Sequence, residues 1–202
     1  MKKCYLVGAG DLGAVPEVRD DDLVIAADGG YDHLTSHGIR CDLIIGDLDS
    51  ISKDDNEIEI IRHPVEKDET DMFLAYCEGA SRGYTHFEIL GGTGGREDHT
   101  YANYQLLLYI REHGHTARLI SEKMVMTVIK NESLELHGKR GSTLSIFAIG
   151  GDAKGVTVSG AKYSADRINL TECFPLGVSN SFLWDNATVS VEYGSLLLMW
   201  EK

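Results

Sequence analysis

The apolar and polar residues of this chain follow two different patterns. Up to about residue 130, short runs rich in β-branched residues alternate with stretches whose apolar residues recur every three or four positions. That alternation is typical of a mostly parallel sheet with crossover helices. The predicted strands are KCYLVGA, LVIAAD, DLIIGD, IEIIRHP, HFEILGG and TARLIS, and the predicted helices are TDMFLAYCEGASRG and HTYANYQLLLYIREHG.

From about residue 133 the helical spacing is absent. The segments STLSIFAIGG, KGVTVSGAKYSA, SFLWD and TVSVEYGSLLLMW are short strand candidates bounded by turn residues. Such a series predicts an antiparallel β-sandwich. We therefore predict an α/β protein in which residues 1–130 form a mostly parallel α/β sheet domain and residues 131–202 form an antiparallel β-sandwich domain.

The composition narrows the choice of partners and compartment. The 202 residues carry a formal charge of -13 at pH 7, which disfavours nucleic acids and anionic membrane surfaces as partners. No apolar run approaches the roughly 18 residues of a membrane span, and the first residues fit a strand better than a secretory signal, so we expect a cytoplasmic protein. The scattered cysteines predict buried free thiols; they are Cys4, Cys41, Cys77 and Cys173.

Acidic residues and glycines follow four successive predicted strands. LVIAAD ends in Asp28, followed by Gly29 and Gly30, and DLIIGD ends in Asp47, with Asp49 beyond it. PVEKDETD and GGTGGREDH follow the next two strands. Ligands of open parallel sheets bind outside the carboxyl ends of the strands, so we expect one binding edge there.

The two carboxylates of GDLDS suggest a metal site. Asp47 and Asp49 are two residues apart, so extended backbone would place both carboxylates on the same side of the chain. The repulsion between these like charges is unfavourable unless a cation lies between them. Carboxylates without nearby Cys or His suit a hard ion such as magnesium, which typically also binds substrate phosphates. Taken alone, DLDS is equally well explained as a helix-capping turn.

KDETD, just before a predicted helix, has two interpretations. Asp71 would be a further metal ligand, with Lys67 contacting phosphate oxygen. Alternatively, Thr70 and Asp71 cap the helix and favour its dipole.

GGTGGREDH offers unobstructed backbone amides before a helix N-terminus, which suits an anion. Arg96 adds a bidentate phosphate donor, and Asp98 and His99 are candidate acid, base or ligand. The segment matches neither GxxxxGK[ST] nor GxGxxG, so neither named nucleotide motif applies.

The motifs AADGG, GDLDS, KDETD and GGTGGREDHTYAN, followed by GAKY and GVSNSF, resemble in order and spacing the thiamine pyrophosphokinases. The resemblance covers nearly the whole chain. It implies a catalytic α/β domain that binds ATP and Mg²⁺, a thiamine-binding β-sandwich, and a homodimer with the thiamine site near the subunit interface. The implied reaction transfers pyrophosphate from ATP, the co-substrate, to the hydroxyl of thiamine, giving thiamine diphosphate and AMP.

The resemblance also implies roles for individual residues. Tyr163 falls where animal members carry a stacking tryptophan, although it is as well explained as a strand residue packed in the sandwich. The expected metal ligands are Asp28, Asp47, Asp49 and Asp71. The expected catalytic residues are Asp98, Arg96, Asp71 and Lys67. The expected cofactor and substrate contacts are Asp28, Gly29, Gly30, Thr70, Gly94, Gly95, Arg96, His99, Tyr163, Ser179 and Asn180.

Two other functions fit the same residues. A metal-dependent phosphoesterase also uses aspartates at strand ends, but its two-metal sites favour histidines, which GDLDS and KDETD do not contain. A module that senses a nucleotide or vitamin without turnover would share the ligands. Asp98 itself is open to three roles: the base for the thiamine hydroxyl, a metal ligand, or a helix N-cap.

Overall fold

The computed structural model describes residues 1–46, 58–63 and 68–202. The chain divides into two compact units. The first comprises Met1–Leu106 and His115–Glu122, and the second comprises Leu107–Gly114 and Lys123–Lys202.

In the described residues of the first unit, six strands pair in parallel in the order β6-β5-β1-β2-β3-β4. The runs of Val, Ile and Leu in β1, β2 and β3 are buried at every position, as expected for strands covered on both faces. The predicted parallel sheet is confirmed. The strands are β1 Cys4–Val7, β2 Leu23–Ala27, β3 Leu43–Gly46, β4 Glu59–Arg62, β5 His86–Leu90 and β6 Thr116–Ile120.

The described part of the chain contains three helices: α1 Gly30–Ser36, α2 Asp71–Ser81 and α3 Glu97–Glu112. The sequence pattern predicted α2 and α3 but not α1, which has 7 residues and is too short to show a helical period. Of the helices in the described part of the chain, none combines the length and the apolar composition that crossing a bilayer requires.

Glycine lets α1 begin directly against the sheet. A Cβ atom at Gly30 would lie inside contact distance of the Val7 carbonyl oxygen. The helix then buries Tyr31 and Leu34 in a cluster that includes Val24 of β2. Gly30 therefore allows the close approach of α1 to β1.

The second unit contains eight strands in two antiparallel groups, ordered β12-β9-β14-β7 and β11-β10-β13-β8. This confirms the predicted antiparallel sandwich. The strands are β7 Met124–Lys130, β8 Ser133–His137, β9 Thr143–Ala148, β10 Ala153–Ser159, β11 Ala165–Leu170, β12 Gly177–Ser181, β13 Asn186–Ser190 and β14 Ser195–Glu201.

Both groups of strands contribute to one apolar core. Ile146 and Leu198 come from β9 and β14, while Val156 and Val189 come from β10 and β13. The predicted strands differ from the structure in several places, since β7, β8, β11 and all of β12 except Ser181 were not predicted. TVSVEYGSLLLMW is divided between β13 and β14, and only the first residue of SFLWD lies in a strand.

All four cysteines are free, as predicted, but of the four only Cys4 is buried, and Cys41 is half-buried. Burial raises the pKa of the Cys4 thiol, and it raises that of Cys41 to about 11. Cys77 and Cys173 are exposed instead. Spacing excludes a metal pair but carries little information about the burial of single cysteines.

A buried carboxylate fixes the start of β1 and β2. Asp22 is 5% exposed, and its oxygens accept hydrogen bonds from the amides of Lys3 at 2.7 Å and Arg19 at 3.0 Å. Burial raises the pKa of Asp22, but the two amides and the charges of Arg19 and Lys3 oppose it, and the pKa is below its usual value. The ionised form therefore stabilises the fold above the unfolded pKa, and this contribution is lost as the pH falls through the folded pKa.

We predict that Asp22→Asn destabilises the protein by about 1–3 kcal/mol at pH 7, because a buried amide donor loses a charged acceptor. The difference from the parent should shrink as the pH falls below about 4 toward the lowered pKa of the folded Asp22 carboxyl, because protonation then removes the charged acceptor from the parent as well. Urea unfolding at pH 7 and at a pH below about 4 measures the difference in free energy of unfolding. Asp21→Asn, at an exposed neighbouring residue, is the control. An equal effect of both substitutions would contradict the assignment.

Candidate functional site

The strand order creates a crevice next to β1. The chain passes from β1 outward to β4 and then returns to place β5 on the other side of β1. Ligands of open α/β sheets bind at such a change of direction. A cavity of about 690 Å³ lies there, and its lining includes Gly8 and Gly10 after β1, Asp28 after β2 and Gly91 after β5.

Two glycine-containing loops are joined by backbone hydrogen bonds at this cavity. The amides of Gly8, Gly10 and Asp11 donate to the carbonyls of Leu90, Gly91 and Thr93 at 2.8, 2.9 and 2.7 Å. A Cβ atom at Gly10 or Gly91 would collide with a carbonyl oxygen of the other loop. The first loop was missed in the sequence analysis, although GAG directly after CYLV was a signal for it.

The second loop presents unused backbone donors. Within the described residues, the amides of Thr93, Gly94 and Gly95 donate no hydrogen bond to protein, while the carbonyls of Gly91, Gly92 and Thr93 each accept one. Thr93 and Gly95 line the cavity. A loop with free N–H groups and satisfied carbonyls is suited to an anion.

Two of the four expected metal ligands lie on this cavity. Asp28 directly follows β2 with a φ of 48°, and its amide still donates to the Ile45 carbonyl at 2.8 Å. Asp71 is the first residue of α2, and both residues line the cavity. A left-handed aspartate directly after a buried strand is uncommon, and such conformations concentrate at functional sites.

The other two expected ligands, Asp47 and Asp49, and the expected catalytic Lys67 lie outside the described residues. Across residues 1–46, 58–63 and 68–202, no group of three or more His, Cys, Asp or Glu is arranged to hold a metal ion. The expected four-aspartate cluster therefore stays a prediction.

The acidic segment before α2 also borders the cavity. Asp68, Glu69 and Thr70 line it together with Asp71. Thr70 is the N-cap of α2, because its Oγ1 accepts a hydrogen bond from the Phe73 amide at 3.2 Å. The capping interpretation of this segment thus describes Thr70, while Asp71, the first residue of α2, lines the cavity.

Arg96 and Asp98 form an ion pair at the start of α3. Arg96 Nη2 lies 2.6 Å from Asp98 Oδ2, and Arg96 Nε donates to Oδ1 at 3.1 Å. The side chains are 71% and 63% exposed. Arg96 and His99 line the cavity.

This pairing changes both ionisable groups. Hydrogen bonding from Arg96 lowers the pKa of Asp98, with a further contribution from the His99 amide, which donates to Oδ1 at 3.0 Å. The same bond raises the pKa of Arg96. Asp98 is therefore held ionised, but as a weaker base than an isolated aspartate.

The remaining glycines of the predicted site act through the backbone. Gly29 is the N-cap of α1, and Gly30 packs on β1. Gly94 has a φ of 81°, and a Cβ atom there would collide with Asp11 Oδ2. These positions shape the loops around the cavity, whereas Gly95 lines it directly.

The second unit has a cavity of its own, of about 360 Å³. Apolar side chains make up most of its lining, joined by Tyr163 and Asn180. The Tyr163 residue is 62% exposed, and Lys162 Nζ lies 5.3 Å from its ring centroid. This places an exposed aromatic ring beside an apolar cavity.

Asn180 holds the backbone of Tyr163. Its Oδ1 accepts from the amides of Tyr163 and Ser181, both at 2.9 Å, and its Nδ2 donates to the Tyr163 carbonyl at 2.8 Å. Ser179 has a φ of 60°, and its amide donates to Ser145 Oγ at 3.2 Å. Asn180 thus fixes where the Tyr163 ring lies.

Comparisons with known proteins agree with this organisation. A thiamine pyrophosphokinase of Bacillus subtilis strain 168 is 26% identical over 210 residues, which cover 98% of each chain. A thiamine pyrophosphokinase structure from Bacillus subtilis has a TM-score of 0.87 at 24% identity and covers 100% of this chain and 99% of its own. A thiamin pyrophosphokinase family protein from Enterococcus faecalis has a TM-score of 0.84 at 26% identity, covering 99% of both chains.

Family models match both parts of the chain. The model of the thiamin pyrophosphokinase catalytic domain matches residues 16–119, and that of the vitamin B1 binding domain matches residues 128–198. The family predicted from the motifs is confirmed, and neither the phosphoesterase nor the sensing module finds support in these similarities. The chain belongs to the thiamin pyrophosphokinase family.

Proposed function

We propose that this protein is a cytoplasmic, magnesium-dependent enzyme that transfers the pyrophosphoryl group of ATP to the hydroxyl of thiamine. Thiamine diphosphate and AMP are the products. The main support is the cavity beside β1, where backbone amides of the second glycine loop, Arg96 and the carboxylates of Asp28 and Asp71 border one space in a member of this family.

The two parts of the chain divide the substrates. Residues 1–130 bind ATP and magnesium, and residues 131–202 bind thiamine. Supporting this are the positions of the two family matches, at residues 16–119 and 128–198, and a separate cavity in each unit.

ATP binds with its phosphates at the glycine-rich loop of the first cavity. The amides of Thr93, Gly94 and Gly95 donate to phosphate oxygens, and Arg96 supplies a bidentate charge. Lys67 adds a further contact. Because phosphoryl groups carry their charge on equatorial oxygens, fixed donors around these oxygens align the triphosphate of ATP for attack at its β-phosphorus.

Carboxylates in the same cavity fit a magnesium ion, because hard oxygen ligands are what this ion takes from proteins. Asp28 and Asp71 line the cavity and would hold the ion together with Asp47 and Asp49. When bound, magnesium neutralises phosphate charge that this acidic chain, with a formal charge of -13, does not itself offset.

Asp98 takes the proton of the thiamine hydroxyl as the new bond to the β-phosphorus forms and the bond to the AMP oxygen breaks. In the structure its oxygens are engaged by Arg96 and the His99 amide. Transfer of Arg96 from Asp98 to the phosphates frees the carboxylate and raises its basicity. Binding of ATP therefore activates the base.

Thiamine binds beside Tyr163, whose exposed ring offers a face to a cationic heterocycle. Asn180 and Ser179 hold the surrounding strand, so Asn180 acts mainly by fixing Tyr163. Lys162 lies over the same ring at 5.3 Å and would be displaced by the vitamin.

The first test is turnover. Purified protein with ATP, magnesium and thiamine should give AMP and thiamine diphosphate in equal amounts by chromatography.

We predict that Asp28→Asn and Asp71→Asn each lower kcat by about 100-fold or more, because they remove charge that binds the ion at the transition state. The exposed Asp32→Asn in α1 is the control. Full activity of either cavity variant would remove that residue from the metal site, and phosphate release without thiamine would indicate a hydrolase.

We further predict that Tyr163→Ala raises the KM for thiamine about tenfold, while Tyr163→Phe stays near the parent, because the ring face and not the hydroxyl attracts the cation. The KM for ATP should not change in either variant. Tyr193→Ala, at another exposed tyrosine of the same unit, is the control. If Phe and Ala variants lose affinity equally, stacking at Tyr163 is excluded.

The protein also forms a homodimer in this proposal, with thiamine near the subunit interface. The second unit exposes several large apolar side chains, which supports an interface there; they include Phe174, Leu176, Val178 and Trp184. Light scattering at micromolar concentration should give twice the 22.2 kDa mass of one chain. A single-chain mass would contradict the dimer.

A further inference from the structure

A histidine of α1 holds the first glycine loop from behind. His33 is half-buried, and its Nε2 lies 2.7 Å from the Gly10 carbonyl oxygen. A carbonyl only accepts hydrogen bonds, so Nε2 carries the proton. None of the family motifs quoted above contains this residue.

The bond from His33 is the first in a chain of peptide groups. In a trans peptide the C=O and N–H point in opposite directions, so the Gly10 carbonyl faces His33 and the Asp11 amide faces away from it. That amide donates to the Thr93 carbonyl at 2.7 Å. The N–H in the same peptide group as the Thr93 carbonyl belongs to Gly94. The chain thus runs from His33 through two peptide groups to a free amide of the second glycine loop.

A second, shorter chain starts at Asn103 of α3. This residue is 6% exposed, and its Nδ2 donates to the Gly92 carbonyl at 2.8 Å. The amide on the far side of that peptide group is the N–H of Thr93. Both chains therefore end at neighbouring N–H groups that have no protein acceptor within the described residues.

We propose that His33 and Asn103 are positioning residues that orient and polarise the Thr93 and Gly94 amides toward a bound polyphosphate. Each hydrogen bond fixes a carbonyl, and so fixes the direction of the N–H on the other side of the same peptide plane. Peptide dipoles aligned in series also strengthen one another, so the terminal N–H is a better donor to an anion. The inference rests on the proposed function, because it takes the loop to bind phosphates.

The geometry distinguishes this role from simple packing. His33 and Asn103 come from different helices and contact different loops. The carbonyl bound by His33 is connected to the Gly94 amide through two peptide groups, and the carbonyl bound by Asn103 shares one peptide group with the neighbouring Thr93 amide. Their hydrogen bonds satisfy acceptors, whose partial negative charge would otherwise oppose an anion. Substitution of a residue that serves only the fold would change the stability of the protein, and would not lower its phosphate affinity while the stability stays the same.

The test is calorimetric binding of inorganic pyrophosphate with magnesium to the full-length protein. His33→Leu should raise the Kd about tenfold, because the first chain loses its donor. His33→Gln should restore affinity to within about threefold of the parent, because its side-chain amide again supplies an N–H. His37→Leu, the same change at an exposed position just after α1, should bind as the parent does.

Asn103→Asp gives an independent arm, since it keeps the shape and replaces the donor with an acceptor facing the Gly92 carbonyl; its Kd should also rise about tenfold. Thermal midpoints without ligand and the Kd for thiamine are recorded for every variant. A parent-like Kd in His33→Leu, or no rescue by His33→Gln at an unchanged thermal midpoint, overturns the proposal, as does absence of pyrophosphate binding by the parent. Thiamine diphosphate formation by the parent with unchanged pyrophosphate affinity in the variants refutes this inference alone. Altered affinity as expected, with no thiamine diphosphate formed by the parent, refutes the proposed function alone.

Discussion

The placement of β1 between β2 and β5 is the constraint on which the first cavity depends. All three strands run parallel, so the loops that follow them leave the sheet at the same edge. The chain continues from β1 toward β2 and returns only later to β5. Two backbone segments can then approach and exchange hydrogen bonds, which requires glycine where carbonyls of one loop meet Cα atoms of the other. Glycine at positions 8, 10 and 91 follows from this strand order.

Local patterns predicted most of the first unit and the character of the second. Buried runs such as CYLV and LIIG identified strands, and apolar residues at helical spacing identified α2 and α3. Strand order is decided by contacts between distant segments, so the sequence did not indicate that the loop after β1 would meet the loop after β5. The helix α1 was missed for a different reason: it occupies seven residues and starts at a glycine, which propensity disfavours.

The residue types of the site were easier to predict than their contacts. Asp28, Asp71, Arg96 and His99 were chosen because acids, arginine and glycine followed successive strands, and they do line one cavity. Their hydrogen bonds were beyond sequence reasoning. The amide of Asn180 binds the backbone of a residue 17 positions earlier, and His33 binds a carbonyl 23 positions earlier. Such partners are determined by the tertiary fold. Asp47 and Asp49, outside the described residues, keep the status of predictions.

The exposed pair of Arg96 and Asp98 has a consequence for how a ligand would exchange partners with the protein. Ion pairs in contact with solvent contribute little net stability, since water and salt compete for both charges. Moving the guanidinium from one oxyanion to another therefore has a small thermodynamic barrier, and the loop can remain ordered in both situations. The pairing with Asp98, two residues away, already restricts the conformations of the flexible Arg96 side chain. Little further conformational entropy is therefore lost when the guanidinium moves from Asp98 to a bound oxyanion.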